Sequence, residues 1–285
     1  MHIIHHTTEL RTQVRQWHAA GLSVCLVPTM GNLHEGHLAL VDRARQLADR
    51  VIATIFVNPL QFIQGEDYDT YPRTLEEDSL KLSERGTDIL FAPEVAEVYP
   101  SGLENHTEVS VPALDGFLCG ASRPGHFTGV ATVVSKLLNL VQPDTAVFGE
   151  KDYQQLLVIK RMVSDLCIPV DIQSLPTVRE EDGLAMSSRN NYLNEEQRRI
   201  APELYKQLQK IADQLRAGET DYPTLEHAGM DELKQFGFEP EYLSVRRRHD
   251  LQLPSTGTPP EELIILAAAR LGKTRLIDNL QVLSS

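Results

Sequence analysis

Short apolar runs rich in β-formers alternate with amphipathic helical patterns over the first ~175 residues, and few folds accommodate that alternation. The runs lie at 23–28 (SVCLVP), 51–57 (VIATIFV), 88–92 (DILFA), 144–148 (DTAVF) and 168–172 (IPVDI). Between them, Leu40, Val41, Ala44, Leu47 and Ala48 make one stripe within 36–48. Val130, Val133, Val134, Leu137, Leu138 and Val141 repeat at strict helical spacing within 129–141. Strands buried on both faces and alternating with helices predict an α/β fold, a Rossmann-like doubly wound parallel sheet.

From about 176 the texture changes. A long polar helix is predicted over 194–216 and a second over 222–236, followed by strand-like pieces at 241–246 and 263–269 around the turn-rich LPSTGTPPEE. Without βαβ alternation this is an α+β region. The expected organisation is a Rossmann-like sheet domain over 1–176 and a smaller α+β domain over 177–285.

At 285 residues the chain is long for a single core, and its apolar and charged contents of 41% and 24% are those of a soluble globular protein. No run approaches the roughly 18 to 20 apolar residues of a membrane span, and MHIIHHTTELRTQ lacks the pattern of a signal peptide. Cys25, Cys119 and Cys167 are odd in number and far apart, which suits free thiols in a reducing cytoplasm. A net charge of −13 argues against a nucleic-acid partner. It leaves room for a small anion, since a few cations inside a cleft override the global balance.

The chemistry concentrates in three stretches. PTMGNLHEGH (28–37) lies where a strand hands over to a helix, the end of an open α/β sheet at which ligands bind. A helix N-terminus attracts anions, Gly31 and Gly36 let backbone approach a phosphate, and His34 and His37 share a helix face. The His-Glu-x-His spacing is one residue short of the HExxH zinc pattern, so phosphate is favoured over metal, with simple packing and capping the blander possibility. FGEKDYQQL (148–156) places Lys151 on a second strand-to-helix loop, with Asp152 suited to cap the helix. GLAMSSRNNYL (183–193) sets two serine hydroxyls beside Arg189, a compact donor cluster for phosphate. FVNPLQF (56–62) and ASRPGHFTGV (121–130) offer Asn58, Gln61, Arg123 and His126 to a substrate pocket, and the polar segment 63–74 reads as a mobile flap. There is no nucleophile elbow, GxGxxG or P-loop.

In this order, PTMGNLHEGH, FVNPLQF, YPRT, SRPGHFTGV, VFGEKDYQQL, GLAMSSRNNYL and RLIDN resemble the pantothenate synthetase family, the pantoate–β-alanine ligases. That family lies in the nucleotidyltransferase group, which shares the His-x-x-His phosphate motif with class I aminoacyl-tRNA synthetases. The resemblance spans nearly the whole chain, is densest over 26–193 and is loosest over 246–262.

The resemblance implies an enzyme that joins (R)-pantoate to β-alanine at the expense of ATP and Mg²⁺, through pantoyl-adenylate, releasing pyrophosphate and AMP. It assigns catalysis to His34, His37, Lys151 and Arg189, with His37 as proton donor. ATP contacts fall to Met30, Gly31, Asn32, Leu33, His34, Glu35, Gly36 and His37, then Gly149, Glu150, Lys151 and Asp152, then Val178, Met186, Ser187, Ser188 and Arg189. Gln61 and Gln155 would hold pantoate, and Gln61 would border β-alanine. No dedicated protein ligands for Mg²⁺ are implied beyond the weak candidates Glu77 and Asp78, because phosphate oxygens usually hold this ion. The family also implies a cytoplasmic homodimer. An adenylyltransferase acting on a phosphorylated substrate would share fold and histidines, but the neutral pair Gln61 and Gln155 suits it poorly. A nucleotide-binding regulator would need no amine-accepting pocket, and a metal hydrolase lacks a third ligand.

Overall fold

The computed structural model describes residues 1–283, which divide into two compact units: Met1–Glu150 with Gln155–Pro176, and Lys151–Gln154 with the described residues from Thr177 onward. In chain order the elements are β1 (His2–Ile4), α1 (Thr7–Ala19), β2 (Val24–Thr29), α2 (Glu35–Leu47), β3 (Arg50–Ile55), α3 (Leu75–Glu84) and β4 (Ile89–Phe91). There follow α4 (Val95–Val98), α5 (Cys119–Ser122), α6 (His126–Val141), β5 (Thr145–Gly149), α7 (Tyr153–Asp165) and β6 (Asp171–Leu175). The remainder holds α8 (Glu195–Ile200), α9 (Glu203–Arg216), α10 (Tyr222–Gln235), β7 (Glu239–Arg247), β8 (Leu263–Leu271) and β9 (Thr274–Gln281).

The first unit carries a six-stranded, wholly parallel sheet in the order β1-β4-β3-β2-β5-β6. From β2 the chain moves outward through β3 and β4 on one side and through β5 and β6 on the other, so the winding reverses between β2 and β5. Leu26, Ile52, Leu90 and Ala146 on neighbouring strands are all fully buried, as strands covered on both faces must be. On one face Leu38, Val41 and Ala44 of α2 pack on Cys25, Val27, Val51 and Ala53. The apolar stripe of α6 is buried along its length.

The second unit is an antiparallel sheet, β7-β8-β9, with α9 and α10 contributing Leu204, Leu208, Ile211 and Leu225 to its core. The predicted helix over 194–216 is two helices. Pro202 has no N–H to give the turn before it, so α8 stops and α9 restarts from Pro202 as N-cap. β6 starts at Asp171 rather than 168, because Cys167 leaves α7 through a positive φ of 52° and Pro169 follows. β1 and β9 are strands that the sequence pattern does not announce.

Candidate active site

PTMGNLHEGH is the loop that joins β2, beside the reversal, to α2. Its path is fixed from two sides. The Thr29 hydroxyl donates to Thr54 O (2.6 Å) and accepts from Gly31 N (3.2 Å). Asp78 of α3, fully buried, accepts from Asn32 N and Leu33 N at 2.8 Å each and from the Thr74 hydroxyl at 3.0 Å. Gly31 adopts φ 85°, and a Cβ there would stand 3.0 Å from Ile55 and 3.1 Å from Asp78, so both backbone and space demand glycine. Asn32 follows at φ 52°, and its Nδ2 is buried without a hydrogen-bond partner. Leu33 is buried beneath the loop.

His34 caps α2. Its Nδ1 accepts from Gly36 N (3.1 Å) while Nδ1 of His37 accepts from His34 N (3.4 Å), and the ring centroids lie 4.1 Å apart. Two imidazoles thus perform the reciprocal capping that Ser and Glu perform in a capping box. A ring nitrogen that accepts an N–H carries no proton, so each neutral ring keeps its proton on Nε2. The blander expectation, that these histidines cap, is therefore correct and compatible with the other: capping through Nδ1 fixes Nε2–H as the donor at a helix N-terminus, where the dipole favours an anion. The Glu35 carboxylate is exposed and turns to Arg85 (2.6 Å), leaving only its backbone to serve a ligand at this terminus.

Beyond β3, Gln61 closes a 3-10 turn, Pro59–Gln61, built around Asn58. Asn58 is buried: its Oδ1 accepts from Leu60 N (3.3 Å) and the Tyr99 hydroxyl (2.9 Å), and its Nδ2 donates to Gln61 Oε1 (3.3 Å) and Gly129 O (3.1 Å). Gln61 Nε2 donates to Met30 Sδ (2.7 Å), tying this turn to the histidine loop. A Cβ on Gly129 would lie 2.1 Å from Leu60 O, so α6 rests directly on the turn.

Arg123 and His126, expected at a substrate pocket, instead brace this turn. Arg123 Nη1 donates to His126 Nε2 (2.8 Å), which leaves the ring proton on Nδ1 to donate to Gln61 O (2.7 Å). Arg123 also grips Glu66 through Nε (2.5 Å) and Nη2 (2.7 Å). Burial works against the charge on Glu66, but the Arg123 fork outweighs it and holds the carboxyl below its usual range. That pair pins the segment predicted as a flap, and Tyr71, buried, meets Phe62 edge-on at 5.8 Å. Asn58 likewise spends its amide inside the fold.

β5 pairs with β2 across the reversal (Cys25 with Thr145, Leu26 with Ala146) and ends at Gly149. Nothing stands within 4 Å of where a Cβ on Gly149 would be, so no protein contact asks for glycine there. Glu150 accepts from the Ser174 hydroxyl (2.7 Å). Gln155 is half-buried in α7.

The other predicted residues belong to the second unit. Lys151 and Asp152 lie in a 3-10 turn ahead of α7, their charges 3.8 Å apart. Val178 and Met186 face each other across a hairpin (Met186 N to Val178 O, 3.0 Å) closed by Gly183. Ser187 caps the 3-10 helix Ser188–Tyr192 by accepting from Arg189 N (3.3 Å), so hydroxyl and guanidinium issue from one short turn. RLIDN braces both segments. Asp278 receives a two-pronged bond from Arg179 (2.6 and 2.9 Å), and Asn279 Nδ2 donates to Lys151 O (2.9 Å). Burial pushes the Asp278 carboxyl up, opposed by Arg179 and more weakly by Lys151.

The weak candidates for Mg²⁺ do not fit. Glu77 is exposed, Asp78 spends its oxygens on the histidine loop, and among the described residues no three His, Cys, Asp or Glu side chains form a metal-binding group. The role of Asp78 was hidden from the sequence: no local pattern shows that a carboxylate 46 positions from Asn32 accepts its N–H. A cavity of about 650 Å³ lined by Trp17, Arg50 and Asp88 opens at the amino ends of β1, β3 and β4, the other end of the sheet from the histidine loop, and contains none of the predicted residues. No helix among the described residues is long and apolar enough to cross a membrane.

The pantoate–β-alanine ligase family model matches residues 2–281. The chain is 56% identical to the pantothenate synthetase of Alkalilimnicola ehrlichii over 97% of its own length and 96% of the relative's. It is 55% identical to that of Azotobacter vinelandii, covering 96% of each. Among solved structures, pantothenate synthetase from Thermus thermophilus superposes with a TM-score of 0.89 at 48% identity, covering 99% of both chains. Pantoate–β-alanine ligase from Francisella tularensis, complexed with β,γ ATP and β-alanine, gives 0.83 at 34% identity, covering 99% of this chain and 98% of that one.

Proposed function

The chain belongs to the pantoate–β-alanine ligase family, an ATP-dependent ligase that forms an amide bond between pantoate and β-alanine, and from that premise we propose which of its residues do the work. The observation that carries the proposal is the reciprocal capping of His34 and His37 beside the reversal of the sheet. Two Nε2–H groups at one helix N-terminus are donors for the phosphates of ATP, already oriented before the nucleotide arrives.

In the first step a carboxylate oxygen of pantoate bonds to the α-phosphorus of MgATP. The bond from that phosphorus to the bridging oxygen breaks, and pyrophosphate leaves. His34 and His37 donate to the charge that gathers there, His37 as the proton donor, with Lys151, Ser187, Ser188 and Arg189 adding cations and hydroxyls. Such oriented donors are commonly the largest catalytic contribution, about 3–4 kcal/mol for one of them. Gly149 lets the nucleoside approach β5, a use consistent with the open space above it. Val178 and Met186, with Met30, Asn32, Glu150 and Asp152, complete its contacts.

Gln61 and Gln155 hold pantoate. Neutral amides suit a carboxylate that has to remain nucleophilic, and Gln61 reaches that role already fixed by Asn58 and Met30. In the second step the amine of β-alanine, bordered by Gln61, attacks the activated carbonyl carbon. AMP departs with the bonding pair, and the nitrogen loses a proton. Mg²⁺ enters with ATP as part of the substrate, on phosphate oxygens. We further propose a cytoplasmic homodimer, which rests on family membership.

Isotope exchange between pyrophosphate and ATP, with pantoate and without β-alanine, tests the scheme. Exchange should require pantoate and fall about 100-fold or more in His37→Ala and in Lys151→Ala, the loss of one oriented donor. Near-normal exchange in both folded variants would sink the assignment.

A further inference from the structure

RLIDN sits on β9, and neither half-reaction calls on it directly. Asp278 and Asn279 are nevertheless buried polar residues in a strand, so their partners account for their presence. Asp278 is committed to Arg179, which also donates to Gly183 O (3.1 Å) and lies over the Tyr205 ring, 3.6 Å from its centroid. That cluster holds the hairpin of Val178 and Met186. Asn279 does something different. Its backbone N–H donates to Asp278 Oδ1 (2.7 Å), while its side-chain Nδ2 donates to the carbonyl of Lys151 itself (2.9 Å).

We propose that Asn279 is a positioning residue for Lys151, fixing the backbone from which the ammonium group is delivered. The proposal rests on Lys151 acting at the phosphates, as assigned above. A lysine ammonium is a point charge on a flexible four-carbon stem, so the stem's anchor decides where the charge lands. Here the anchor is a 3-10 turn, Glu150–Asp152, a short element whose hydrogen-bond geometry is poorer than that of an α-helix. A second bond holds the segment Lys151–Gln154, from the Tyr153 hydroxyl to Arg248 O (3.0 Å), but it acts two residues further on. Asn279 bonds Lys151 O directly, and misplacing a catalytic group by about 1 Å can cost ~10²-fold in rate.

The test is a double-mutant cycle read by pantoate-dependent pyrophosphate–ATP exchange. Asn279→Ala in the otherwise native chain should lower the maximal exchange rate about 10- to 100-fold, a displacement effect, with KM for ATP and pantoate within about threefold. In a Lys151→Ala background the same substitution should change exchange less than about twofold, because the group it positions is gone. Asn279→Asp keeps the shape but turns an acceptor towards the Lys151 carbonyl, and should show the same roughly 10- to 100-fold loss, which keeps the test open if the alanine variant unfolds. Equal losses in both backgrounds would make Asn279 merely structural and overturn the proposal. So would an unchanged rate in Asn279→Ala or in Asn279→Asp. Lys151→Ala with normal exchange would remove the assignment of Lys151 itself, a distinct failure, and the role of Asn279 would fall with it.

Discussion

At the residue scale, the site depends on side chains that hold backbone as much as on those that meet substrate. Asp78 shows the difference. It carries no ligand in the proposed scheme, yet it accepts from two successive N–H groups ahead of His34. Removing it leaves buried donors unpaired at about 1–3 kcal/mol each, so Asp78→Ala should cost about 3–5 kcal/mol in urea unfolding. Residual folded enzyme should also lose adenylate formation, since the histidines would hang from a loosened loop. Undiminished exchange per folded molecule would show that the loop holds itself. His34, His37, Lys151 and Arg189 could be proposed from the sequence because donor chemistry is written in residue type. Asp78, Arg123 and His126 were misread for the same reason: residue type reveals what a group can donate or accept, and only tertiary structure reveals whether that capacity is already used.

At the scale of elements, periodicity carried most of the information. The strict stripe of α6 and the apolar runs of β2 to β5 were readable because burial imposes a period. β1 was not, being three residues long, and β9 was not, because Asp278 and Asn279 interrupt its apolar character with buried polar pairs. The contact of α6 with the Gln61 turn was equally hidden, for it depends on the absence of a side chain. Gly129→Ala would thrust a methyl group to 2.1 Å from Leu60 O, forcing helix and turn apart. Such overpacking typically costs about 1–3 kcal/mol. The expected outcome is a lowered melting temperature and a KM for pantoate raised more than that for ATP. Equal changes in both would mean that the turn does not carry the pantoate contact.

At the scale of the whole molecule, parts distant in sequence close the first unit. Glu97 of α4 caps α1 from ninety residues away, accepting from the Thr7 hydroxyl and N–H, both at 2.7 Å, with His6 at 3.3 Å. Those bonds hold the carboxyl down to about 2 from its ordinary 4.5. Because the folded value is depressed, the stabilisation is fully present above the unfolded value and disappears as pH falls through the folded one. Melting temperature should therefore drop between pH 4.5 and about 2 in the native chain, and less steeply in Glu97→Gln. Parallel curves would remove Glu97 from the acid transition.

The tetrapeptide Lys151–Gln154 has a consequence for modularity. It packs with the second unit although the residues on both sides of it belong to the first. The smaller unit is therefore not a contiguous stretch of gene. A fragment beginning at Thr177 would leave Asn279 Nδ2 without the Lys151 carbonyl and Arg248 O without the Tyr153 hydroxyl. Recombination that exchanged everything after residue 176 between relatives would pair one parent's Lys151 with the other parent's Asn279, and crossovers on either side of 151–154 are not equivalent.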